Sequence, residues 1–353
     1  MLPQKQKVLQ QDDEPKVTKE PGVEEDEVEP RCDGEGVGGG DGVVEGGAAA
    51  AVGAGRVIGK SGSGSGEFIE PHFVAFDDEG NLVVSDNFND RIQVLRFWDG
   101  KHLRTIGSQG VGKIGKVPFM LPEGIAFDGS GHIVVADYFN HCLRVLRYRD
   151  GAHVRSIGKV QLCQPSGVAI DSQNHVWVLG SMGVHCGHPK YPFGVPRDSP
   201  YYVAHDDDAN GRIQVFRLSD GVLINSICSP GSGNGKFSGE GCVAFDDEGN
   251  LVVSDSLNHR IQVLRYPEGV QLRTIGSEGA GNGQFSGPHG IAFDRSGDLV
   301  VADCFNNRVQ VLRYRDGAHV RSIGITNPNG VAIDGDGRIV VCDTFNHRLQ
   351  VLP

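Results

Sequence analysis

Long apolar runs are missing from this sequence. No stretch reaches the roughly 18–20 residues needed to span a bilayer, and the first residues, MLPQKQKVLQQDDE, hold no signal-peptide core. A membrane partner is therefore not expected. Paired cysteines are missing too. None of the 8 Cys falls in a Cys-x-x-Cys spacing, and Cys342 stands where a buried alanine would sit inside a strand. That pattern fits reduced thiols in a cytoplasmic protein better than a disulfide or zinc framework. Nor does the chain show a nucleophile–base pair, a phosphate-cradling loop or a complete metal cluster, so neither an enzyme nor a cofactor is expected.

Positive charge is scarce as well. The net charge is −12, but residues 1–52 hold five basic and thirteen acidic side chains and account for −8 of it. A near-neutral remainder argues against a strong phosphate-binding face, and no DNA partner is expected. Residues 1–52 combine an acidic run, Glu24 to Glu29, with a Gly/Ala-rich stretch, Gly34 to Gly55, and cannot bury enough apolar area to fold. They read as a disordered arm, and residues 53–353 as the folded domain.

What the chain has is repetition. FDDEGNLVVSDNFNDRIQVL from Phe76 recurs as FDDEGNLVVSDSLNHRIQVL from Phe245, and six such units begin at Phe76, Phe127, Ile170, Phe245, Phe293 and Ile333. VLRYRDGAHVRSIG occurs identically at Val145 to Gly158 and Val311 to Gly324, so a three-unit block has been duplicated. A unit of this kind cannot bury its own faces and must stack on its neighbours.

Each unit reads as four short strands. In the fifth they are Gly290 to Phe293, Leu299 to Ala302, Arg308 to Leu312 and His319 to Ile323, with the first two joined by the turn Asp294 to Gly297. The fold class is therefore all-β: a six-bladed β-propeller of four-stranded antiparallel blades. The sixth unit ends at Pro353 after its third strand. Arg56 to Gly59 matches the fourth-strand segment Arg273 to Gly276, so an N-terminal strand is expected to pair with the last blade and close the ring.

Pro-x-Gly-(Val/Ile)-Ala-x-Asp, then Val-Val-Ala-Asp, then Asn-x-Arg-(Ile/Val)-Gln-Val resembles the NHL repeat family over about 300 residues. The resemblance implies a propeller like the C-terminal domain of tripartite-motif ubiquitin ligases, which binds protein or RNA, and here it comes without RING, B-box or coiled coil. Related six-bladed propellers are peptidylglycine amidating lyases. The expected function is a non-catalytic recognition scaffold, monomeric, holding a protein or peptide partner on its loop face in a substrate-recognition role. The alternatives are an RNA-binding propeller, using Arg147, Arg149, Arg155, Arg313, Arg315 and Arg321, and a metal-dependent lyase or hydrolase at the channel mouth.

A residue found at one register in every blade is architectural, whereas a site must break the symmetry. By that test Arg91, Arg212, Arg260, Arg308 and Arg348 are mortar, with Asp86, Asp255, Asp303 and Asp343 as partners. Three features break or exceed the pattern. The residues opening the innermost strands are His72, Glu123, Ser166, His289 and Asn329, with Gly241 in blade four. His72, Glu123, His289 and Asn329 are channel-mouth candidates, read as a polar, watered ring that binds no metal, although lyase-like relatives place histidines around zinc there. Phe88, Phe139, Phe305 and Phe345, with Leu257, form a second set, either an apolar circle in solvent or rings packed on the Gly-rich inter-blade loops. The third is an insertion in blade three, residues 180–206, with His185, Cys186, His188, Tyr191, Phe193, Tyr201 and Tyr202. Long loops on rigid scaffolds carry function, and these aromatics are partner-binding candidates.

Overall fold

A computed structural model of the chain describes residues 55–107, 119–159, 161–180 and 211–353, all within one compact unit, Ala51–Pro353. Six four-stranded antiparallel sheets make it up. In order along the chain, the innermost strands are Pro71–Phe76, Pro122–Phe127, Pro165–Ile170, Val243–Phe245, Pro288–Phe293 and Pro328–Ile333. Each sheet then steps outward through its second, third and fourth strands, as expected for propeller blades. Blade six takes its outer strand from Arg56–Ile58, which pairs antiparallel with Arg348–Leu352 in the register Arg56↔Val351 and Ile58↔Leu349. The expected closure by an N-terminal strand is what the fold shows.

The alternating Val/Ile strands bury both faces, because each sheet is sandwiched between two others. Val83, Val134, Val176, Val252, Val300 and Val340 are wholly buried. Each inter-blade loop adds one apolar plug: Phe68, Phe119, Leu162, Phe237, Phe285 or Ile325. At Gly276 glycine is required both by its positive φ and by space. A Cβ at Gly276 would lie 2.3 Å from the Phe285 ring.

The repeated polar residues are mortar. The aspartates ending the second strands, Asp86, Asp255, Asp303 and Asp343, are buried, and each is paired at 2.7–2.8 Å with Arg91, Arg260, Arg308 or Arg348. Asp303 also accepts from the Ser286 N–H, Asn306 and Gln310. Blade two reaches the same end differently, since Arg144, two residues later, pairs with Asp137.

Two further devices join blade to blade. The residue after each Asn adopts a left-handed conformation, and its side chain accepts the N–H just before the next blade's opening proline. Asp90 does this for Leu121, His141 for Gln164, His259 for Gly287, Asn307 for Asn327 and His347 for Glu70. The first residue of the turn donates to the next opening carbonyl: Asn87 to Pro122, Ser256 to Pro288 and Thr344 to Pro71. At the opposite ends of the blades, Tyr148, Tyr266 and Tyr314 donate to Asp77, Asp171 and Asp246 of the preceding blade.

Of the described cysteines, Cys142, Cys228, Cys242, Cys304 and Cys342 are free, and all but Cys228 are buried. Cys163 is disulfide-bonded. The expectation of uniformly reduced thiols is corrected at that position. No helix among the described residues is long and apolar enough to cross a membrane.

Candidate functional site

Strand register places the candidate residues on one face. Pro71 pairs with Asp86, Pro122 with Asp137, Pro288 with Asp303 and Pro328 with Asp343. The start of each innermost strand therefore lies beside the turn joining second to third strand, and the inter-blade loops end there too. In blade three Pro165 pairs with Gly180, so the insertion departs from this same face. Tyr191, Phe193, Tyr201, Tyr202 and the His185-Cys186-x-His188 segment lie outside the described residues.

The second-to-third-strand turns are short 3-10 segments that present one apolar side chain each. Phe88 is 50% exposed, Leu257 52%, Phe305 65% and Phe345 59%. Their backbones are fixed by the adjacent loop: Phe88 N–H donates to Ile69, Leu257 N–H to Ser238 and Phe305 N–H to Ser286. Leu257 and Phe305 also sit against Gly239 and Gly287, where a Cβ would come within 2.6 Å of each side chain. Leu257 and Phe305 are thus seated on Gly-rich loops and remain more than half exposed. Phe139 departs from the set, being less exposed and turned edge-on to Tyr138.

The channel mouth differs from its sequence-based picture in two ways. The strand openings converge so tightly that the next residue is Gly in four blades. A Cβ at Gly124 would lie 2.3 Å from the Ser166 carbonyl, and one at Gly290 2.3 Å from that of Asn329. The two exceptions, Phe73 and Cys242, stand in blades one and four, opposite each other across the ring. Phe73 joins the apolar cluster containing Cys242 and Ile291 and meets the His289 ring edge-on at 6.0 Å. The polar side chains of the mouth thus have apolar neighbours in Phe73 and Cys242.

The second difference is Glu240. It occupies the position that is Pro in the other five blades, and there the regular strand does not begin until Val243. Glu240 joins Glu123 and His289, each offering a ligand atom within 4.8 Å of the others. Sequence reasoning followed the residue after the proline and so selected Gly241 in this blade; the loss of proline was the available signal. Tyr138, the blade-two residue that in other blades latches to the neighbouring proline carbonyl, instead donates to Glu240 across blade three. His72 Nδ1 lies 3.4 Å from Glu123 Oε1, without an aligned hydrogen bond. Asn329 adds a buried, unpartnered Oδ1.

The electrostatics of the mouth follow from burial. Desolvation raises the Glu123 carboxyl, and the charge of Glu240 pushes the same way. Burial brings the His289 imidazole down to about 4, so it is neutral at pH 7. At His72 burial opposes charge, but Glu123 outweighs it and the shift is upward.

Radial four-stranded sheets closed by an N-terminal strand define a six-bladed β-propeller. Three stretches, residues 119–146, 285–312 and 326–352, in blades two, five and six, match the NHL repeat. No curated protein matches the chain. Among solved structures it is similar to a streptogramin B lyase at 11% identity, TM-score 0.54, over 85% of this chain and 97% of that one. A hydrazine synthase of Kuenenia stuttgartiensis aligns at 13% identity, TM-score 0.55, over 81% and 96%. A catalytically inactive virginiamycin B lyase from Staphylococcus aureus with quinupristin aligns at 12% identity, TM-score 0.51, over 81% and 85%. Such identities speak for the fold alone.

Proposed function

We propose that this NHL-repeat propeller is a non-catalytic recognition scaffold that holds a protein or peptide partner on the face carrying the second-to-third-strand turns. The observation behind this reading is the circle of Phe88, Leu257, Phe305 and Phe345, each at least half exposed at one register around the mouth. Aromatic side chains held rigidly at a surface bury large area at small entropic loss, which is why they dominate binding hot spots. Tyr191, Phe193, Tyr201 and Tyr202, which lie outside the described residues, are proposed as further partner contacts, because the insertion that carries them begins at Gly180, paired with Pro165 on this face. The role is that of a monomeric substrate-recognition module, of the kind the tripartite-motif resemblance implies. The four buried free thiols support a reducing, cytoplasmic setting; the disulfide at Cys163 is the observation against it.

Three of the six arginines that would serve RNA already make protein contacts at the surface. Arg147 pairs with Asp150 and Arg313 with Asp316, at 2.9 and 3.0 Å, while Arg155 donates to the Ser219 carbonyl. A protein partner is accordingly preferred.

The test compares partner capture by the full chain, with and without ribonuclease, against Phe305→Ala/Phe345→Ala and against Glu79→Lys/Glu248→Lys at the opposite blade ends. Each anchor is worth on the order of 2 kcal/mol, roughly 30-fold in affinity. Loss in the Phe pair alone supports the reading. Loss on ribonuclease treatment, or only in the charge-reversed pair, rejects it.

A further inference from the structure

Two carboxylates and a bare imidazole meeting at the mouth oppose folding unless something binds there. Glu123 is 3% exposed with an unpartnered Oε2. Its recorded ionic neighbour is His72, and no Lys or Arg among the described residues pairs with it. His289 is 7% exposed, and neither ring nitrogen has a hydrogen-bond partner. A buried polar group left unsatisfied costs about 1–3 kcal/mol, and this blade register holds several. The other blades show that such groups are avoidable, since Ser166 at the same register bonds to the Gly241 and Leu179 carbonyls.

We propose that Glu123, Glu240 and His289 bind a divalent first-row cation, zinc by affinity, at the mouth of the propeller. Two carboxylate oxygens and one imidazole nitrogen form a mixed hard and borderline donor set. Calcium requires 6–8 oxygens, and magnesium prefers oxygen and water to imidazole, whereas zinc accepts both donor types and lies above manganese in the affinity order. Zinc bonds of about 2.0–2.2 Å place tetrahedral ligands about 3.3 Å apart. The three donors, within 4.8 Å of one another, close to that spacing by rotation of the two Glu side chains. Positive charge between Glu123 and Glu240 removes their repulsion, and the unpartnered ring nitrogens of His289 gain a ligand to bind.

The surroundings are those of a ligand set with outer partners. Tyr138 orients Glu240, His72 stands against the second oxygen of Glu123, and the His289 carbonyl is fixed by Ser254 Oγ at 2.5 Å. Outer partners of this kind set ligand orientation and basicity. Phe73 packs edge-on against the His289 ring at 6.0 Å. Three protein ligands with an open position match zinc sites that accept an exogenous ligand. Glu240 is what changes the expectation of no metal, because His72, Glu123 and His289 alone were an incomplete set.

The experiment uses the full chain, stripped with a chelator and equilibrated with Zn²⁺ or Co²⁺. About one Zn²⁺ per chain is expected to survive gel filtration, with an upward melting shift. Glu240→Gln and His289→Ala are each expected to weaken binding by more than about 100-fold, beyond the loss of an outer partner. His185→Ala/His188→Ala in the insertion is expected to bind as the parent does. If a mouth variant does not fold, the Co²⁺ spectrum of the parent decides: ligand-field bands without a thiolate charge-transfer band support an oxygen and nitrogen site. Retention of no metal, binding unchanged in folded Glu240→Gln and His289→Ala, or a thiolate charge-transfer band overturns the proposal. These readouts need no partner protein, so they stand apart from the docking test.

Discussion

Ring closure rests on three residues, and its contribution can be worked from their contacts. Deleting residues 1–60 removes Arg56–Ile58, which pairs with Val351, Gln350 and Leu349. Ile58 is 4% exposed and packs with Phe68, Leu349 and Val351, so its burial contributes about 2–3 kcal/mol. About three ladder hydrogen bonds add roughly 1 kcal/mol each. The Arg56 guanidinium also donates to the Phe97 and Trp98 carbonyls and lies 4.9 Å from the Phe97 ring centroid, fastening blade six to blade one. A loss of about 5 kcal/mol follows, a large part of the roughly 5–15 kcal/mol by which domains are stable. At about 2 °C per kcal/mol for a domain of this size, the melting temperature falls by roughly 10 °C. Deleting residues 1–50 leaves the strand and is expected to change it little. Differential scanning calorimetry of the two truncations, with Ile58→Asp in the full chain as a point control, measures this. Equal melting temperatures for the two truncations would falsify the closure argument. Increased self-association of the shorter chain is expected as well, because Arg348–Leu352 becomes an open edge.

The other predictions concern the mortar and the latches between blades. Arg308→Ala leaves the buried Asp303 without its cation and is expected to cost about 3 kcal/mol by chemical denaturation. Arg313→Ala, which breaks an ion pair whose side chains are 58% and 50% exposed, is expected to cost less than about 1 kcal/mol; equal losses would show that burial does not set the value of these pairs. Acid should loosen the junction between blades two and three. His141 Nδ1 accepts the Gln164 N–H at 3.2 Å, and burial holds its pKa below the usual value of about 6.5. The folded state thus favours the neutral ring, and its contribution is complete above pH about 6.5 and declines as pH falls through the lowered folded pKa. Melting curves from pH 7.5 to 5 are expected to fall more steeply for the parent than for His141→Asn, which keeps an acceptor as Asn307 does in blade five; identical slopes would remove His141 from the account.

The sequence by itself determined the class of fold, because period, turn chemistry and strand composition are local properties that repeat. Asp294 to Gly297 specifies its turn within four residues, and the match between Arg56 to Gly59 and Arg273 to Gly276 carries the ring closure in spelling alone. The mortar was legible for the same reason: Asp303, Asn306, Arg308 and Gln310 recur together in blades one, four and six at fixed spacing. Tertiary structure decided what meets across the axis. Glu240 and Tyr138 are 102 residues apart, and only the geometry of the ring brings them to one point. Phe73 looked like an ordinary strand residue, yet it packs with Cys242 and edge-on to His289, at a register where four other blades have glycine. Exposure of the Phe circle was likewise undecidable from a one-dimensional pattern, since Phe305 and Phe139 share a register and differ only in what lies against them. Local repetition fixes a scaffold, whereas a site forms where departures from the repeat, each unremarkable in its own blade, converge in space.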